Sequence, residues 1–231
     1  MTPKNAVISD YNASLMEVYE VIRDFPDELI SLLRYHEERH GKEYFYELRG
    51  LDRTEAYRTL TPVEKAARLI YLNKTCFNGL FRVNAKGQFN VPFGRYRHPN
   101  IVNEEGIRAV SLCLKAEGIQ LFHKDYRDIL REAGPGDFVY LDPPYMPLSP
   151  SSSFTSYTNK GFGFEEQKQL KEACDDLRAR GIPFLESNSD CEAIRELYRD
   201  YEIRTVKARR SINREGNKRG EIDEVLILHG C

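Results

Sequence analysis

The chain has 231 residues, 41% of them hydrophobic, which suffices for a buried core and suits one domain or one domain carrying a large insertion. No apolar run approaches the roughly 18 to 20 residues that span a bilayer, and the start, MTPKNAVISDYN, lacks the basic and apolar segments of a secretion signal, so the chain reads as cytoplasmic. A formal charge of −2 excludes wholesale attraction to nucleic acid, so any affinity for phosphate must come from local clusters.

Residues 5–9 (NAVIS) form a short apolar run closed by Asp10 and predict a strand. Asn12 then opens SLMEVYEVIRDF, in which Leu15, Val18, Tyr19 and Ile22 recur at helical spacing. Helical patterning continues over 27–40 and 62–75, with Pro62 suited to a first turn. Residues 76–99 break the pattern, being rich in Phe, Asn, Gly and Arg, and predict an ordered loop or small hairpin. They carry one basic cluster: Arg82, Lys86, Arg95 and Arg97. Helix is expected over 104–116, strand over 119–123, a short helix over 126–132 and a buried strand over 138–141. Then come helix over 164–180, strand over 183–186, helix over 191–198, strand over 202–206 and a last strand over 224–228. A second basic cluster, Lys207, Arg209, Arg210, Arg214, Lys218 and Arg219, precedes that last strand. Both clusters lie outside obvious helices among Gly, Asn or aromatic residues, which favours phosphate-facing loops over a solvated helix face. Strands alternating with helices predict an α/β fold with a mostly parallel sheet, into which the mainly helical residues 11–100 are inserted. The five cysteines, Cys76, Cys113, Cys174, Cys191 and Cys231, contain no C-x-x-C pair, so reduced structural thiols are expected and no metal site.

The most informative segment is FVYLDPPYMPLS. Asp142 stands at the carboxyl end of an apolar strand, and Pro143 and Pro144 stop the ladder because neither can donate to it. Ligands of open α/β sheets bind at that edge. An Asp-Pro alone suits an ordinary turn, whereas D-P-P-Y after a strand resembles the catalytic motif of amino-group methyltransferases acting on DNA bases. The exocyclic N6 of adenine is a poor nucleophile because its lone pair is delocalised into the ring. The Asp142 carboxylate and a main-chain carbonyl of the proline pair can each accept one N6 hydrogen, favouring a pyramidal nitrogen aimed at the methyl group. Tyr145 offers a stacking face for a base flipped out of the duplex, which costs on the order of a few kcal/mol.

The resemblance narrows to the Dam-like, GATC-recognising DNA adenine-N6 methyltransferases of the D12 class. It rests on FNGLFRVNAKGQFNVPFGRY (77–96), SSSFTSYTNKGFGFEEQ (151–167), DPPY, ESNSD (186–190) and the ARRS…RGEIDEVLIL tail. It implies a Rossmann-like sheet dependent on S-adenosylmethionine, built from residues 1–10 and 101–231, with 11–100 as a helical target-recognition domain. Duplex DNA is the implied partner and S-adenosylmethionine the methyl donor. Asp142, Pro143, Pro144 and Tyr145 would be catalytic. Asp10, Asp125 and Tyr126, with Asp142, would meet the donor, although Asp10 and Asp125 also suit tight turns. In the 77–96 segment the resemblance makes Arg82 a two-donor reader of guanine and Pro92 a contact to a thymine methyl. Phe77, Asn78 and Leu80 would wedge near the flipped adenine, and Arg95 and Tyr96 would touch phosphate and neighbouring bases. Phe77 and Leu80 serve equally as core residues of a small domain.

The sequence departs from the family at the front. The family's first strand and Gly-rich F-x-G-x-G loop precede a VISDYN-like strand, and here Met1 stands almost upon that strand. That departure implies a missing N-terminal strand, unpaired ladder groups beside it, and either an inactive DNA-binding remnant or a split enzyme completed by another polypeptide.

Overall fold

The computed structural model describes residues 4–147, 162–209 and 221–231. They form two compact units, Met1–Tyr126 and Arg127–Cys231.

In the first unit, β1 (Ala6–Asp10) pairs in parallel with β2 (Ile119–His123), which sets Asp10 opposite His123. Between them run α1 (Ala13–Asp24), α2 (Pro26–Glu38), α3 (Lys42–Gly50), α4 (Ala56–Thr59), α5 (Pro62–Thr75) and α6 (Glu104–Leu114). Local chemistry sets the helix starts. The Asn12 side chain accepts from the Ser14 and Leu15 amides, Pro26 occupies the first turn of α2, and Thr61 and Glu64 close a capping box ahead of α5. Leu29, Leu33, Phe45, Ala67, Tyr71 and Leu72 are fully buried where α2, α3 and α5 meet. Helix α3 has no counterpart in the sequence expectations, because KEYFYELRG buries only Phe45 and Leu48 and shows too short an apolar stripe.

The second unit contains β3 (Val139–Leu141), α8 (Phe164–Ala179), β4 (Phe184–Ser189), α9 (Glu192–Leu197), β5 (Glu202–Arg209) and β6 (Glu221–His229), while α7 (Tyr126–Glu132) spans the boundary. The strand order is β3-β4-β6-β5. Strands β3 and β4 are parallel, but β6 runs antiparallel to both β4 and β5, so this sheet is mixed and not mostly parallel. Alternation of strand and helix foretells parallel pairing; the direct succession of β5 and β6 produces an antiparallel neighbour instead.

Among the described residues β1 pairs only with β2 and β3 only with β4, leaving one edge of each unpaired. Exposed apolar residues accompany those edges: Val7 and Ile8 on β1, Phe138 and Tyr140 at β3. The expected buried strand over 138–141 is thus buried only at Leu141. No helix among the described residues is long and apolar enough to cross a membrane. Arg210, Arg214, Lys218 and Arg219 of the second basic cluster lie outside the described residues, as do residues 151–161 of the SSSFTSYTNKGFGFEEQ segment.

Candidate active site and DNA-facing hairpin

Asp142 is exposed and follows Leu141, the last residue of β3, which pairs with Glu186 of β4. The register brings β4 side chains against the D-P-P-Y turn. Ser187 Oγ donates to Asp142 Oδ1 at 2.9 Å and lies 3.4 Å from the Tyr140 hydroxyl. Its neighbours on the strand are buried: the Asn188 amide nitrogen donates to Glu186 Oε1 at 3.1 Å and to Gln167 Oε1 at 3.0 Å. Gln167, on α8, donates in turn to the Pro144 carbonyl at 2.9 Å, and Asn188 Oδ1 accepts from the Met146 amide at 3.0 Å. No hydrogen bond among the described residues engages the Pro143 carbonyl, so it is the proline acceptor left open beside Asp142. The Tyr145 hydroxyl reaches Glu224 of β6 at 3.5 Å, and burial pushes it above the ordinary tyrosine range. Burial also raises the Glu186 carboxyl, outweighing the opposing pull of Tyr198, Asn188 and Cys174 beside it.

Asp10 and the Asp125-Tyr126 pair emerge at the carboxyl ends of adjacent parallel strands, β1 and β2. One Asp10 oxygen accepts the Asn12 amide at 2.6 Å, so Asp10 does make a tight turn, while the residue stays exposed. Tyr11 is exposed beside it, and its carbonyl lies 3.1 Å from His123 Nε2.

Residues 76–94 form a hairpin-like excursion after α5. Isolated bridges join Cys76 to Phe93 and Val83 to Phe89, and the tip turns through Asn84 and Gly87, whose φ is 76°. Gly94 is required by close approach, since a Cβ there would meet the Cys76 carbonyl at 2.6 Å. Phe89 and Val91 are buried in the helical core, which fixes the hairpin to its unit. Four charged side chains complete the anchorage, and no sequence signal marked them. Asp52 accepts the Phe89 amide at 2.8 Å, Arg53 donates to the Phe89 carbonyl at 2.9 Å, and Arg49 donates to the Val91 carbonyl at 3.1 Å. Buried Arg68 pairs with Asp52 at 3.0 Å.

The hairpin separates the two residues whose roles were open. Phe77 is 44% exposed, whereas Leu80 packs partly against the core. Asn78 adopts a left-handed backbone (φ 55°) next to Gly79 (φ 62°), and the Gly79 carbonyl accepts from Asn73 Nδ2 of α5 at 2.9 Å, which ties the turn to that helix. Pro92, Arg95 and Tyr96 are exposed. Arg82 is gripped by Asn90, its Nε donating to Oδ1 at 2.6 Å and its Nη2 to the Asn90 carbonyl at 3.3 Å.

A mixed α/β protein with a D-P-P-Y turn at a strand's carboxyl end has the build of a methyltransferase acting on nucleic-acid bases, and comparison with known proteins agrees on that class. More particularly, the chain belongs to the D12 class N6 adenine-specific DNA methyltransferases, whose family profile matches residues 1–212. Similar proteins include the Type II methyltransferase M1.LlaDCHI of Lactococcus lactis subsp. cremoris, 41% identical over 229 residues that cover 99% of this chain and 81% of that protein. The Type II methyltransferase M.MjaIII of Methanocaldococcus jannaschii is 39% identical, covering 98% and 80%. The DNA adenine methylase of Escherichia coli K12 is 35% identical, covering 96% and 78%.

Proposed function

We propose that the protein methylates N6 of the adenine in GATC sequences of duplex DNA, with S-adenosylmethionine as donor, through the D-P-P-Y turn. The observation that carries this reading is the pair of acceptors at one place: an exposed Asp142 carboxylate steadied by Ser187, beside the open Pro143 carbonyl. Two acceptors on adjacent residues can each take one hydrogen of the target amino group and bias its nitrogen toward pyramidal geometry. Tyr145, tied to Glu224 through its hydroxyl, offers its ring for stacking on an extrahelical base.

The donor set suits a nucleoside. Asp10 keeps one carboxylate oxygen outside its turn for ribose hydroxyls, and Tyr126 with Asp125 follows the neighbouring strand's carboxyl end for the adenine ring. When bound, S-adenosylmethionine supplies an electrophilic methyl group on sulfur. The protein residues position and bind; the methylated nitrogen loses its proton readily, so no strong base is required.

In this reading residues 1–10 and 101–231 make the Rossmann-like methyltransferase part and 11–100 the target-recognition part. Exposed Phe77, with Asn78 and Leu80 of the same turn, wedges near the flipped adenine. Arg82 reads guanine, Pro92 meets a thymine methyl, and Arg95 and Tyr96 hold phosphate and flanking bases. Methyl transfer from labelled donor to duplexes carrying GATC or single-base variants tests the reading. Asp142→Ala is expected to abolish transfer to GATC with duplex affinity retained; near-parental turnover by that variant, or equal transfer to every duplex, would sink it.

A further inference from the structure

The two peptide groups flanking Tyr145 are held from the protein interior by side chains with no assigned role in the reaction. The Pro144 carbonyl accepts from Gln167 Nε2 and the Met146 amide donates to Asn188 Oδ1. These two buried amides are joined to each other, Asn188 Nδ2 to Gln167 Oε1, and Asn188 is tied back to Glu186. Cys174 Sγ closes the far side 3.6 Å from Glu186 Oε2. Gln167, Glu186 and Asn188 are all fully buried. A buried carboxyl among neutral neighbours is costly to keep, and for stability alone an apolar side chain would serve this interior better. Strand alternation explains the division of labour: Ser187 points to Asp142, while Glu186 and Asn188, one residue either side, serve the turn.

We propose that Gln167, Asn188 and Glu186 form a buried positioning chain that fixes both peptide planes around Tyr145 and thereby sets the stacking ring and the open Pro143 carbonyl relative to Asp142. The proposal rests on the D-P-P-Y reading above. The side chains touch neither substrate nor donor; they act through the turn. Because Pro144 is committed to Gln167, only one proline carbonyl remains for the target amino group, and a turn free to rotate would blur which one is presented. The raised Glu186 carboxyl suits a neutral member of the chain, which an amide could replace.

The test measures single-turnover methylation, duplex Kd and thermal midpoint on the full chain, with Asp142→Ala alongside. Gln167→Leu removes the donor to Pro144 and is expected to lower the rate about 10²-fold with Kd unchanged, the size of loss that a misplacement of about 1 Å produces. Glu186→Gln, which still offers Asn188 an acceptor, should keep the parental rate, whereas Glu186→Leu should follow Gln167→Leu. If Gln167→Leu fails to fold, Gln167→Met decides: close to glutamine in volume, it has no donor for Pro144, and the same rate loss is expected. A parental rate in the folded Gln167 variant while Asp142→Ala is dead overturns the positioning chain alone. A lower rate together with a higher Kd, or Glu186→Gln as slow as Glu186→Leu, overturns it in favour of a general packing role. Retained activity in Asp142→Ala removes the D-P-P-Y reading and this proposal with it.

Discussion

At the residue scale, the sequence names the groups that would face substrate and misses the groups behind them. Asp142, the prolines and Tyr145 stand out because two prolines after an apolar run have few structural uses. Gln167, Ser187 and Asn188 lie in segments that carry the family resemblance but gain no role from it, since that role depends on a β3–β4 register and an α8 position that no local pattern encodes. Arg82 repeats the lesson. Its residue type suggests guanine recognition, but its grip by Asn90, eight positions on, is visible only in the hairpin. That grip commits Nε and one Nη2 hydrogen inward and leaves three donors on the terminal nitrogens, enough for the two-donor contact to guanine O6 and N7. Arg82→Ala is therefore expected to relax discrimination at guanine by about 1–3 kcal/mol. Exposed Arg95 should behave as a phosphate contact: Arg95→Ala should weaken cognate and non-cognate duplexes alike and flatten the salt dependence of log Kd by roughly one unit of slope. Titrations of GATC and single-base variants at several salt concentrations separate the two, and a uniform loss for Arg82→Ala with lost discrimination for Arg95→Ala would reverse the assignments.

At the element scale, helices with a sustained apolar period were legible and the short α3 was not. Asn12 and Pro62 announce α1 and α5, while α3 owes its place to Phe45 and Leu48 buried in the helical unit's core. The irregular composition of residues 76–99 did signal an ordered excursion, but not its anchor. Asp52 carries much of that anchor, accepting the Phe89 amide while pairing with buried Arg68. Removing it leaves the buried Arg68 charge without a carboxylate, held only by the Leu48 and Arg49 carbonyls, and the Phe89 amide unmatched. Asp52→Ala should cost about 3–5 kcal/mol in denaturant unfolding, the usual penalty for breaking a buried ion pair, and Asp52→Asn distinctly less because the amide oxygen can still accept from Phe89. Equal losses for the two variants would show that charge neutralisation of Arg68, and not the hairpin hydrogen bond, dominates.

At the scale of the whole molecule, the two units hold buried titratable groups of opposite sign. In the helical unit, burial lowers His36, bonded to the Tyr44 hydroxyl at 2.6 Å, from 6.5 to about 4, and it lowers His40 as well. The unfolded chain then binds more protons than the folded one between about pH 6.5 and pH 4, so stability that is full above the unfolded value is lost as pH falls through that window. The slope from one such group reaches about 1.4 kcal/mol per pH unit. Half-buried Glu17, which burial raises where it lowers the two histidines, opposes them within this unit. In the other unit Glu186 is raised above 4.5, so its folded form holds a proton that the unfolded form releases, and acidification strengthens that unit. Asp175 and Asp190, held below 3.8, lose their contribution only in stronger acid. Hydrogen exchange corrected for intrinsic rates should therefore show α2 and α5 losing protection between pH 7.5 and pH 5 while β4 and β6 hold theirs, and His36→Gln should remove much of that difference. Parallel loss in both units, or earlier opening of β4, would show that the buried histidines do not govern the acid limb.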